Sequence, residues 1–147
     1  MTKEKYNLIL DVDSYKVTHF NQYPQNTKKL YAYIEARNLN SEELIFFGLQ
    51  AFVKKYLLNP ITQDDIDEAE KFLLSHIGVF NRDDWEYILN QHGGFLPIEI
   101  KSLDEGTVTN KKIPLLDITN TDEKVPWLVT YIETALLRSL WYPSSVA

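Results

Sequence analysis

The stretch Lys29-Leu30-Tyr31-Ala32-Tyr33-Ile34-Glu35-Ala36-Arg37 decides the fold class, because small aliphatic residues alternate with polar and aromatic ones along its length. Successive side chains of a β-strand point to opposite faces, so the stretch has one aliphatic face and one polar, aromatic face. The aliphatic face is the natural core side. We therefore predict a half-buried strand whose last residue, Arg37, emerges on the exposed face.

Helices and further short strands are predicted after this strand. Capping residues and apolar periodicity place four helices at 42–58 (N-cap Ser41), at 62–76 (capping pair Thr62 and Asp65), after Asn81, and from Pro126 onward. Alternation predicts a strand at Pro97–Leu103, and Thr107–Thr109 and Leu115–Thr119 are typical of further short strands. The predicted fold is α+β, a small and mostly antiparallel sheet with about four helices, in one domain over residues 1–147.

A dense polar cluster lies upstream, in Asp13-Ser14-Tyr15-Lys16-Val17-Thr18-His19. It follows the apolar run Tyr6–Val12, which is typical of a strand, and polar groups at a strand end often meet a ligand. Asp-Ser after a strand is also typical of an Asx turn, and Tyr15 of a packed aromatic residue. Spacing alone leaves both interpretations open.

Composition narrows the function classes. The chain has 147 residues, 44% of them hydrophobic and 24% charged, which is ordinary for a soluble globular protein. With no cysteine it has no disulfides or thiolate metal sites, and with no secretory signal pattern it is expected in the cytoplasm. A net charge of −6 argues against a nucleic-acid binder, and no apolar run is long enough for a membrane span.

Several standard catalytic motifs are absent from the sequence, which has no P-loop, no Gly-x-Gly-x-x-Gly and no Gly-x-Ser-x-Gly. The three histidines, His19, His76 and His92, lack metal-ligand spacing, so no metal site is predicted. The last helix is apolar nearly all round, with Trp127, Leu137, Leu140 and Trp141 outside its main apolar face. Such a helix must be buried, so we expect a missing partner domain or a subunit interface.

An ordered series of short motifs resembles the N-terminal portion of the nicotinamide phosphoribosyltransferase family. Each motif is unspecific alone, but the set occurs in order and covers essentially the whole chain. Its members are Asp13–His19, Gln22-Tyr23-Pro24, Asn26-Thr27, Glu35-Ala36-Arg37, Phe47-Gly48-Leu49-Gln50, Leu96–Lys101, Glu105-Gly106, Asn120-Thr121-Asp122, Ile132-Glu133-Thr134 and Trp141-Tyr142-Pro143.

The resemblance implies a transferase that makes nicotinamide mononucleotide and pyrophosphate from nicotinamide and 5-phosphoribosyl 1-pyrophosphate, with magnesium, in NAD salvage. Members of the family are longer and work as head-to-tail homodimers, with active sites at the subunit interface. The chain is then expected to be the N-terminal domain of a type II phosphoribosyltransferase, without the C-terminal barrel domain that holds the 5′-phosphate. Alone, it is expected to be inactive.

The same resemblance implies roles for three residues. Tyr15 matches the tyrosine that stacks on the nicotinamide ring from across the dimer, Asp13 is the catalytic-site acid beside it, and Arg37 matches an arginine near the pyrophosphate. A flat pyridine carboxamide suits an aromatic face, and a pyrophosphate suits a guanidinium fork. Lys16 and His19 belong to the motif without an assigned role, and no protein ligand for magnesium is identified.

Two alternatives remain at this stage. In the first, the chain is a non-enzymatic module that dimerises or docks through its last helix. In the second, it is a fragment of a relative that uses nicotinic acid, since stacking on Tyr15 does not distinguish carboxamide from carboxylate.

The chain also departs from the family after the Glu105-Gly106 turn, where Asn110-Lys111-Lys112 replaces the usual proline and glycine. That departure leaves the geometry of this hairpin open.

Overall fold

Three antiparallel strands form the central sheet of the computed structural model, which describes residues 6–37 and 41–146. Strand β1 (Tyr31–Glu35) and strand β3 (Ile98–Ser102) flank strand β5 (Pro114–Asn120), in the order β1-β5-β3. The central strand carries the most apolar run and is the most buried of the three. The alternation predicted from Lys29 to Arg37 is confirmed, since Tyr31 and Tyr33 are exposed while Ala32 and Ile34 pack on the core.

A second, two-stranded sheet corrects the first predicted helix. Residues 43–45 form strand β2 (Glu43–Ile45), paired with strand β4 (Val108–Asn110), so Ser41 is not a helix N-cap. Leu44 and Phe46 are both buried, and this two-residue period favours a strand over a helix. Helix α1 (Leu49–Phe52) begins only after Gly48 and continues as a π-helix over Val53–Leu57.

The predicted first strand, Tyr6–Val12, is also wrong. Residues Leu8–Leu10 form a 3-10 helix, and a second 3-10 helix covers Ser14–Asn21. The side chain of Asn7 accepts a hydrogen bond from the Ile9 amide and donates one to the Asp65 carbonyl oxygen, which favours a turn over an extended chain. The apolar residues of this run therefore enter the core from a short 3-10 helix, with Ile9 fully buried.

Two helices follow their sequence signals closely. Helix α2 (Gln63–His76) opens with a complete capping box, in which Thr62 and Asp65 satisfy each other's backbone amides. Helix α3 (Arg82–His92) ends at Gly93 in the left-handed conformation. Among residues 6–37 and 41–146, no helix combines the length and apolar composition needed to cross a membrane.

The last predicted helix is split at Ile132 into α4 (Leu128–Tyr131) and α5 (Glu133–Val146). These helices connect two buried clusters, one beneath α2 and α3 and one between the sheet, α1 and α5. On α5, Leu136 and Leu140 are buried, whereas Trp141 and Tyr142 remain about 60% exposed (61% and 60%). The connection between β4 and β5 is not a hairpin, since the two strands belong to different sheets; within it, Lys112 adopts a left-handed φ of 64° and its amide donates to the Ala36 carbonyl oxygen.

Candidate functional site

The polar cluster of the sequence lies against the start of helix α5, where Lys16 is its centre. The Lys16 side chain is only 4% exposed. Its ammonium contacts Asp13 Oδ2 at 3.2 Å, Glu133 Oε2 at 3.0 Å and Thr134 Oγ1 at 3.2 Å. Because an ammonium has three N–H donors, these contacts satisfy it fully.

Asp13 is held in its ionised form by the same contacts. The Thr134 hydroxyl donates to Asp13 Oδ2 at 2.7 Å, and this bond, followed by that from Lys16, holds the pKa of the Asp13 carboxyl below its ordinary value. Burial by itself lowers the pKa of Lys16, but hydrogen bonds from the ammonium to Glu133 and Asp13 outweigh it, and the net pKa is raised. Asp13 is therefore a half-exposed, fixed negative charge that accepts hydrogen bonds.

Tyr15 projects from this cluster into solvent. Its side chain is 61% exposed, and its ring lies 5.5 Å from the His19 ring and 5.7 Å from the Lys16 ammonium. Neighbouring Ser14 bonds the ring of His76 at 2.8 Å, which connects the 3-10 helix to the end of α2. Asp13 and Tyr15 thus stand together as an exposed aromatic face beside a carboxylate.

Arg37 occupies a different part of the surface. It is 84% exposed in its side chain, and its guanidinium Nε stands 3.9 Å from Glu35. It lines a groove of about 730 Å³ between β1 and α5, whose rim also includes Tyr31, Tyr33 and Trp141. Glu133 lines the same groove, so this residue connects the Asp13 cluster to the surface that carries Arg37.

The structure therefore brings Asp13 and Tyr15 together and places Arg37 apart from them, in a groove that neither of the two residues lines. Sequence reasoning gave no role to Lys16, and it named Glu133 and Thr134 only as part of a family motif. The available signal was Ile132-Glu133-Thr134 at the start of the last helix, where a glutamate is also favoured by the helix dipole. Only the packing of α5 on the 3-10 helix reveals that Lys16 binds both residues.

The described residues give no support for a protein-built metal site. Among residues 6–37 and 41–146, no group of three or more histidines, aspartates or glutamates is placed to hold a metal ion. The two carboxylates nearest the site, those of Asp13 and Glu133, are already paired with Lys16.

A solved structure has the same fold. The fold matches the crystal structure of human nicotinic acid phosphoribosyltransferase with a TM-score of 0.63 over 91% of this chain and 26% of that chain. Sequence identity is 20%, so this likeness establishes the fold. The chain has the fold of a segment of a phosphoribosyltransferase.

The family follows from the sequence. Residues 7–100 match the family model of the nicotinamide phosphoribosyltransferase N-terminal domain. The chain therefore belongs to the nicotinamide phosphoribosyltransferase family. The match includes Asp13, Tyr15 and Arg37.

Similar curated proteins are longer than this chain. It is 42% identical over 141 residues to a nicotinamide phosphoribosyltransferase of Xanthomonas campestris pv. campestris, covering 96% of this chain and 30% of that protein. A nicotinamide phosphoribosyltransferase of Acinetobacter baylyi is 31% identical, over 97% of this chain and 32% of that protein. The chain thus spans about a third of the length of the relatives it matches.

Proposed function

We propose that this chain is the N-terminal part of an enzyme that transfers the phosphoribosyl group of 5-phosphoribosyl 1-pyrophosphate to nicotinamide. The observation that carries the proposal is the family match over residues 7–100, which contains the exposed Tyr15, the ionised Asp13 and the exposed Arg37. The products are nicotinamide mononucleotide and pyrophosphate, as in NAD salvage.

Each residue has a role that its surroundings suit. The exposed ring of Tyr15 stacks on the pyridine ring, an interaction of about 0.5–1.5 kcal/mol beyond area burial. Asp13, half-exposed beside it, accepts a hydrogen bond and supplies negative charge near the reacting sugar, where positive charge develops. Arg37 binds the pyrophosphate with its planar fork, since its only close ionic partner among the described residues is Glu35 at 3.9 Å.

In this proposal, residues outside this chain complete the site. Tyr15 and Asp13 are donated across a homodimer to a barrel domain of the partner, and the exposed Tyr31, Tyr33 and Trp141 around the groove suit burial against protein. Magnesium accompanies the pyrophosphate substrate and takes no carboxylate from the Lys16 cluster. The cysteine-free composition suits a cytoplasmic enzyme.

The family match favours this enzyme over a non-enzymatic docking module and over a nicotinate-using relative. The human nicotinic acid enzyme shares the fold at 20% identity, whereas the Xanthomonas nicotinamide enzyme is 42% identical. An exposed aromatic face alone does not separate the two substrates.

A chimera tests the proposal directly. This chain replaces the corresponding N-terminal segment of the Xanthomonas enzyme, and formation of nicotinamide mononucleotide is measured with nicotinamide and with nicotinic acid. We expect turnover with nicotinamide, and about a tenfold higher KM for nicotinamide in the Tyr15→Ala chimera than in the Tyr15→Phe control, which keeps the ring. The proposal is contradicted by a chimera that folds and dimerises but prefers nicotinic acid. It is also contradicted if Tyr15→Ala leaves the KM for nicotinamide unchanged.

The isolated 147-residue chain supplies the second test. It holds Asp13, Tyr15 and Arg37 without a phosphate-binding loop, so we expect no nicotinamide mononucleotide above background from purified protein. Measurable turnover by the chain alone would overturn this part of the proposal.

A further inference from the structure

Lys16 is the one buried cation among the described residues. Burying an ammonium is costly unless its charge is paired and its donors are bonded. Here two carboxylates and one hydroxyl take all three donors, at 3.0–3.2 Å. The chain therefore maintains a costly, fully bonded charge in contact with two residues of the proposed site, Asp13 and Tyr15.

The partners of Lys16 belong to two separate pieces of the fold. Asp13 precedes the 3-10 helix Ser14–Asn21, whereas Glu133 and Thr134 open α5. The Asp13 amide also donates to Thr134 Oγ1, at 3.3 Å, so backbone and side chain are both fastened to α5. A 3-10 helix has poorer hydrogen-bond geometry than an α-helix, and this one depends on such anchors for its position.

We propose that Lys16 is a positioning residue, which holds the Asp13 carboxylate and the Tyr15 ring in register by clamping their 3-10 helix to the first turn of α5. The inference rests on the proposed function only for what Asp13 and Tyr15 bind. Tyr15 makes ring contacts with His19 and Lys16 and a side-chain hydrogen bond with Asp13, so its placement depends on the Asp13 side chain and the backbone that Lys16 holds.

If Lys16 had a purely structural role, its replacement would destabilise the fold. Replacing one partner of a buried ion pair is destabilising when it strands a charge, but Asp13 and Glu133 are 45% and 46% exposed and remain hydrated without Lys16. Lys16→Met fills a similar volume with an apolar chain. The substitution therefore leaves the fold in place but releases the clamp, so that the positions of Asp13 and Tyr15 change.

The first experiment uses the 147-residue chain. Carbon-detected NMR titration measures the pKa of Asp13, and aromatic relaxation measures the order of the Tyr15 ring. Lys16→Met raises the pKa of Asp13 and reduces Tyr15 order. Glu133→Ala removes one of the two α5 partners of Lys16 but keeps the cation beside Asp13, so it reduces Tyr15 order without raising the pKa of Asp13. If the Tyr15 ring is as ordered in both variants as in the original chain, the inference is overturned.

The second experiment uses the chimera with the Xanthomonas enzyme. Lys16→Met raises the KM for nicotinamide by up to about tenfold, as Tyr15→Ala does, and leaves the KM for 5-phosphoribosyl 1-pyrophosphate nearly unchanged, because displacement of the stacking ring weakens the binding of nicotinamide alone. Lys101→Met, at an exposed lysine paired with Glu99, is the matched control and keeps both values. Unchanged kinetics in Lys16→Met overturn the inference. An inactive unsubstituted chimera counts against the proposed function instead, and the NMR experiment then decides the role of Lys16.

Discussion

Gly48 lies so close to α5 that a β-carbon on it would stand 2.5 Å from the Ser139 carbonyl oxygen. The glycine also has a φ of +114°, a conformation that other residues rarely adopt. It is the point at which the chain leaves β2 and enters α1. The Phe47-Gly48-Leu49-Gln50 motif is therefore a packing requirement that allows α1 to approach α5.

Gly48→Ala is expected to destabilise the chain by clearly more than Gly106→Ala. Both positions have positive φ and share the backbone strain of about 1–2 kcal/mol, but only Gly48 adds a clash with backbone atoms. At Gly106 nothing lies within 4 Å of the added atom. Urea unfolding of both variants measures the difference, and equal losses would show that α5 moves away without cost.

Thr62→Ala tests the capping box of α2. The Thr62 hydroxyl accepts from the Asp65 amide, so its loss leaves a helix N-terminal donor without its cap, at about 0.5–2 kcal/mol. The control is Thr121→Ala at an exposed threonine, which we expect to change stability by less than about 0.5 kcal/mol. Thermal unfolding compares the two, and similar melting temperatures would mean that the cap is unimportant.

Asp122 gives the fold a dependence on pH. Its pKa is lowered by a hydrogen bond from the Lys124 amide, then by hydrogen bonds from His92 and Tyr87. A carboxyl with a lowered folded pKa contributes stability that is present above its unfolded value, about 3.9, and is lost as the pH falls through the folded value.

Asp122→Asn is therefore expected to be destabilised by about 1–3 kcal/mol at pH 7, and its deficit relative to the original chain should shrink below about pH 4. Urea unfolding at pH 7, 4 and 3 measures the free energy of unfolding for both chains. A deficit that is constant across this range would assign the loss to packing and not to the charge of Asp122.

Arg37 is expected to act on one substrate of the proposed reaction. In the chimera, Arg37→Ala should raise the KM for 5-phosphoribosyl 1-pyrophosphate about tenfold or more and leave the KM for nicotinamide nearly unchanged, because a charge-assisted bond to an anion contributes about 1.5–3 kcal/mol. Arg37→Lys keeps the charge but not the planar fork, so its KM for 5-phosphoribosyl 1-pyrophosphate should lie between those of the original chimera and Arg37→Ala. An equal rise in both KM values would show that Arg37 acts on folding or assembly and not on the binding of one substrate.

Local signals in the sequence were sufficient for much of the fold. The capping box at Thr62 and Asp65 and the alternation in β1 and β3 each depend on residues a few positions apart, and the structure confirms the helix and both strands. The wrong predictions, a strand at Tyr6–Val12 and a helix from Ser41, concern apolar runs that fit either period. Distant contacts decided them, such as the bond between the Asn7 side chain and the Asp65 carbonyl oxygen.

The sequence by itself determined the family and nominated Asp13, Tyr15 and Arg37, because ordered motifs and residue types are local properties. Only the tertiary structure decided that Lys16 is buried and that Glu133 and Thr134 bind it. The physical reason is that burial and ion pairing depend on which surfaces pack together. No spacing along the chain encodes the meeting of a 3-10 helix with the first turn of α5.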